Sequence, residues 1–103
     1  MEVFVNEQNF EKEVIKSDIP VLLLFEADWN PACDLVRPTI AELEKEYDGK
    51  IKVARLDVDE SPEIARKYYL YTCPTVMYFK NGENLATTVG YRPKSTFVNI
   101  INK

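Results

Sequence analysis

Two thiols, Cys33 and Cys73, are the residues of this 103-residue chain best suited to chemistry, and no histidine is present to activate them. Without histidine, a Ser-His-Asp triad, a Cys-His pair and a histidine-ligated metal site are all excluded within the chain. Two thiols alone do not close a zinc site, so no metal is expected. Glycine occurs only at Gly49, Gly82 and Gly90, which leaves no phosphate-cradling loop and no expected cofactor. What remains is thiol chemistry, which depends on exposure and on how readily each thiol ionises. Three readings stay open. Both cysteines are small buried hydrophobes with inert thiols; or they form a reversible Cys33–Cys73 disulfide, which needs Cα atoms within roughly 7 Å; or one acts alone as a monothiol, as in glutathionylation.

The rest of the composition narrows the setting. Apolar residues make up 46% and charged residues 29%, an ordinary globular mixture for one domain over residues 1–103. A net charge of −4 with no basic stripe argues against nucleic acid. The opening MEVFVNEQNF has neither the positive start nor the apolar run of a secretory signal. Pro20 to Phe25 is too short to cross a bilayer, so a cytoplasmic protein without membrane contact is expected.

Apolar spacing supplies the elements that must position the thiols. Glu2 to Val5 reads as a strand. Asn6 is placed to cap a helix running to about Lys16, with Phe10 and Val14 on its buried face. Val21 to Phe25 is continuously apolar, as a strand covered on both faces requires. Leu35, Val36, Ile40, Leu43 and Tyr47 follow helical spacing from about Pro31, with Pro38 inside. Ile51 to Asp57 is the next strand, and Ser61-Pro62 marks the start of a short helix ending near Tyr69. Thr75 to Lys80 and Glu83 to Val89 flank Asn81-Gly82, a type I′ hairpin turn. A last amphipathic helix begins near Pro93. The order βαβαβαββα predicts an α/β fold, a mixed central sheet with helices on both faces.

Three segments carry a resemblance. They are Trp29-Asn30-Pro31-Ala32-Cys33 followed by Pro38; Cys73-Pro74-Thr75 leading into Asn81-Gly82; and Thr88-Val89-Gly90. Together they resemble the thioredoxin family, almost end to end and in order. The resemblance implies the thioredoxin fold, a cis-proline at Pro74 and a role in thiol–disulfide homeostasis. It also implies a Cys-x-x-Cys motif whose first thiol attacks a disulfide from a helix N-terminus and whose second resolves the mixed disulfide. Here Cys33 occupies the resolving position and Asn30 the attacking one. Asparagine is among the best N-caps and supplies no nucleophile. The position of the family's buried aspartate aligns with Leu24, and its companion lysine aligns with Arg55. Arg55 must therefore find another partner, which Glu26 could supply.

The same resemblance implies a groove for an extended peptide or protein segment, including one that contains a disulfide. Its rim would comprise Trp29, Pro31, Ala32, Tyr71, Thr72, Cys73, Pro74, Gly90 and Tyr91. A monomer is expected. Two functions follow from these residues. One is a redox protein with an atypical site that uses Cys33 and Cys73, with Asn30 at the nucleophile position. The other is a non-catalytic thioredoxin-fold binding module. The family is one of oxidoreductases, but the usual Cys-x-x-Cys mechanism is not open to this sequence.

Overall fold

The computed structural model describes residues 2–70 and 72–103. Five strands among these residues form one mixed sheet: β1 (Glu2–Val5), β2 (Val21–Glu26), β3 (Lys52–Asp57), β4 (Thr75–Lys80) and β5 (Glu83–Val89), in the order β1-β3-β2-β4-β5. β3 runs parallel to β1 and β2, while β4 runs antiparallel to β2 and β5. Among the described residues, three α-helices accompany them: α1 (Pro31–Glu46), α2 (Pro62–Lys67) and α3 (Lys94–Ile101).

The apolar run of β2 explains the layering. Val21, Leu23 and Phe25 point to one face and pack with Phe10, Val14 and Ile64. Leu22 and Leu24 point to the other and pack with Val36, Ile40, Leu43 and Phe97. Because side chains alternate along a strand, a central strand covered twice must be apolar at every position. The expected α/β architecture with helices on both faces is what the chain adopts. Asn81 and Gly82 have φ of 54° and 81°, as the predicted hairpin turn requires.

Two expectations need correction. The segment after Asn6 is a single π-helical turn, Glu11–Ile15, closed by the Lys16 N–H on the Glu11 carbonyl. Asn6 instead caps the turn before it, accepting from the N–H groups of Gln8 and Asn9. Ser61 precedes α2 as predicted but makes no capping bond, and its hydroxyl is buried without a partner among the described residues. The Glu7 carboxylate takes the Glu63 N–H that a serine cap would have used, at 2.8 Å.

The end of α2 holds a third surprise. Leu70 donates to the Ala65 carbonyl and Tyr69 to the Arg66 carbonyl, the paired bonds of a Schellman ending. That geometry puts Tyr69 in the left-handed region, at φ 55°, where glycine is usual. Tyr69 is 74% exposed, so little packing offsets the backbone cost. Tyr69→Gly is expected to stabilise the fold by about 1 kcal/mol, read as a higher urea midpoint at unchanged slope.

Candidate functional site

β2 ends at Glu26 and a short loop delivers Asn30 to the head of α1. Asn30 has extended backbone, and its Oδ1 accepts the Ala32 N–H at 2.8 Å, the capping bond expected of it. The other end of the same amide is also used. Its Nδ2 donates to the Cys73 carbonyl at 2.8 Å, across 43 positions of sequence. One side chain thus caps the helix and ties it to the loop before β4. Asn30→Ser keeps a capping oxygen and loses the tie, whereas Asn30→Ala loses both. The first is expected to cost about 1 kcal/mol and the second about 2, by urea unfolding.

The Cys73–Pro74 peptide is cis, as the resemblance implied. The carbonyls around it are engaged internally. Thr72 accepts from the Thr75 hydroxyl at 2.7 Å, Cys73 from Asn30, and Pro74 from the Gly90 N–H at 2.8 Å. Gly90 therefore lies against the cis-proline loop, and its φ of 79° is one that glycine adopts without strain. Pro74 is buried, Thr72, Pro31 and Tyr91 are exposed, and Ala32 is half-buried. Tyr71, the remaining rim residue, lies outside the described residues.

Trp29 is 71% exposed, and its indole N–H is held by Asp59 at 2.8 Å. Beside it opens a cavity of about 270 Å³ whose walls include Val58, Ala65, Leu70 and Cys73, with Arg66 and Thr72 also lining it. An apolar hollow with few polar groups is the usual form of a binding site. Sequence spacing did not single out Val58, Asp59, Ala65, Arg66 or Leu70. They come from β3's far loop and α2, and only the folded chain brings them to Trp29.

The two sulfurs differ in access. Cys33, in the first turn of α1, is fully buried, whereas Cys73 is half-buried on the cavity wall. Both are free thiols. Burial pushes the Cys33 thiol up, against the opposing pull of the Ala27 backbone N–H and of Arg37. Burial is also the largest cause at Cys73, joined by Cys33, Asp59, Asp57 and Glu26, and its thiol is pushed up to about 11. Roughly one Cys73 in ten thousand is then ionised at pH 7, and thiolate is the reacting form.

Leu24, where the family's aspartate would stand, is fully buried among Val36, Ile40 and Val76. Arg55 finds the expected partner: its Nε donates to Glu26 Oε2 at 2.7 Å and its Nη2 to Oε1 at 3.0 Å. Arg37, on α1, donates from its Nε to Glu26 Oε1 at 2.6 Å and also pairs with Asp34. Burial alone would raise the Glu26 carboxyl, but hydrogen bonds and charge from Arg55 and Arg37 outweigh it and hold the group below its usual range. The cluster joins β2, β3 and α1 beneath the loop that presents Trp29 and Asn30.

Residues 2–103 match the family model described as Thioredoxin. The chain belongs to the thioredoxin family. It is 45% identical over 98 residues to a thioredoxin of Rickettsia bellii, covering 95% of this chain and 93% of that one. It is 44% identical over 99 residues to the chloroplastic M-type thioredoxin of Spinacia oleracea, covering 96% of this chain and 55% of the longer plant protein. Thioredoxin 1 of a Nostoc species is 39% identical over 99 residues, covering 96% and 92%. Thioredoxins are redox proteins that act on protein substrates, and the fold and family expected from the sequence are those found. Among the described residues, no helix is long and apolar enough to cross a membrane.

Proposed function

We propose that this thioredoxin-family chain is one domain over residues 1–103 that serves thiol–disulfide homeostasis by holding a protein partner, without the family's dithiol turnover. The observation that carries this is Asn30. It stands where an attacking thiol would stand, and both ends of its amide are committed to the fold. The two remaining thiols are held protonated at neutral pH, and Leu24 offers no carboxylate to take a proton. The partner surface comprises Trp29, Pro31, Ala32, Thr72, Cys73, Pro74, Gly90 and Tyr91, with Tyr71 assigned from sequence alone. An extended segment laid along the cis-proline loop meets carbonyls that each already hold a hydrogen bond. Side-chain burial beside Trp29 adds to the backbone pairing that this loop offers. The protein acts as a cytoplasmic monomer in this account.

Trp29 is the sole tryptophan and borders the cavity, so its emission reports occupancy. Titration with insulin, a disulfide-containing protein, is expected to shift that emission saturably while insulin's own cysteines stay closed to alkylation. An unchanged emission overturns the binding role. With dithiothreitol as electron donor, insulin disulfides opened faster than by dithiothreitol alone overturn the non-catalytic part.

A second reading rests on the Asn30 tie, which fastens the Cys73 backbone to the turn that carries Cys33. In it, Cys33 and Cys73 form a reversible disulfide. A disulfide oxidant such as oxidised glutathione accepts two electrons, and two protons leave the thiols. Intact mass should then fall by two hydrogens without dimer formation and recover with reductant. Two alkylatable thiols after oxidation would exclude it.

A further inference from the structure

A second cavity lies at the opposite end of β4 from the cis-proline loop, between the β4–β5 edge and α3. It measures about 230 Å³, and its walls come from Tyr78, Leu85, Ala86, Ile100 and Ile101, with Lys80 and Lys103 also lining it. Its origin is local. Tyr78 pairs with Ala86 and Phe79 with Asn84, so the sheet slips by one residue and Leu85 has no partner across the hairpin. Such a bulge bends an edge strand and re-aims its side chains. Ala86 is too short to fill the space beside Tyr78, and Leu85 is left 55% exposed.

The charged side chains that line it are both lysines. The lysines at positions 80 and 103 form no ion pair with a described residue, although the chain carries a net charge of −4. The Tyr78 hydroxyl likewise makes no hydrogen bond to a described residue. A hollow with aliphatic residues on its walls and two lysine ammoniums on its lining suits a ligand with an apolar body and one anionic end.

We propose that this cavity binds a small amphipathic monocarboxylate, its aliphatic or aryl body against Ala86, Ile100 and Ile101 and its carboxylate between Lys80 and Lys103. The site is separate from the surface around Trp29 and does not depend on the function assigned there. Octanoate is the probe, octanol its neutral counterpart and sulfate its headgroup analogue, each titrated into the isotope-labelled protein and followed by NMR. Octanoate is expected to give saturable shifts confined to Tyr78, Ala86 and the end of α3, and to bind about tenfold more tightly than octanol. Lys80→Gln with Lys103→Gln should bring octanoate to the octanol level. Ala86→Leu should abolish both, and Tyr78→Phe, which keeps the packing, provides a second check by weakening octanoate alone. Equal affinities for octanoate and octanol, sulfate binding as tight as octanoate, or shifts that survive Ala86→Leu in a folded variant would each overturn the proposal.

Discussion

With dithiothreitol as reductant, Asn30→Cys is expected to reduce insulin disulfides about a hundredfold faster than dithiothreitol alone, the rate at which the unsubstituted chain leaves the reaction. The substitution places a thiol at the N-terminus of α1, a 16-residue helix whose unpaired N–H groups and dipole favour thiolate. It also creates the Cys-x-x-Cys spacing with Cys33, which lies one turn into the same helix. An intramolecular thiol resolves a mixed disulfide far faster than one arriving from solution. The gain has a ceiling, because Leu24 supplies no proton acceptor and burial holds the Cys33 thiol up. The variant also loses the Asn30 cap and its tie to Cys73, so a loss of stability of about 2 kcal/mol accompanies the gain in activity. A variant as inactive as its parent would show that the surroundings of residue 30, and not only its side chain, have left dithiol chemistry behind.

Glu26→Gln is expected to cost about 3 kcal/mol of folding stability, because removing one member of a buried ion cluster leaves the other charges uncompensated. Glu26 is 5% exposed and carries Arg37 from α1 and Arg55 from β3 on its two oxygens. The pH dependence has a defined sign. The Glu26 carboxyl titrates lower in the folded chain than its unperturbed value of 4.5. Its contribution is therefore complete above about pH 4.5 and is lost as pH falls through the lower folded value. Urea unfolding at pH 7 and at successively lower pH should show the gap between Glu26→Gln and the unsubstituted chain closing on acidification. A gap independent of pH would mean that the glutamate acts through packing alone.

The parts of the fold that could be read from sequence were those set by contacts close along the chain. The twice-covered β2, the Asn81-Gly82 turn and the Asn30 cap all follow from a residue and its near neighbours. Where a distant group intervened, local logic failed. Ser61 lost its capping role to Glu7, which accepts the N–H of Glu63 from 56 positions away. Asn6 and the Phe10–Val14 spacing marked a buried face, but that spacing does not separate an α-helix from a single wider turn. Arg55 visibly needed a new partner and Glu26 was the candidate, yet nothing in the spacing announced that Arg37 would share it.

The candidate site divides in the same way. Trp29, Asn30, Cys33, Cys73 and Pro74 could be named from motif and order. The bond from Asn30 to the Cys73 carbonyl could not, since it spans 43 positions and joins a side chain to backbone. Nor could the cavity beside Trp29, whose walls come from β3's loop and α2. Tyr69 is the converse case: its left-handed backbone breaks the local preference for glycine, so the sequence there argues against the ending that α2 adopts.

Asn30 caps a helix where the family's chemistry would start, and dithiol turnover is expected to be absent. Dithiothreitol-coupled insulin reduction by the unsubstituted protein at pH 7 measures this directly, with Cys33→Ser in parallel. Neither protein is expected to accelerate the reaction above dithiothreitol alone. Turnover by the unsubstituted chain that Cys33→Ser abolishes would contradict it.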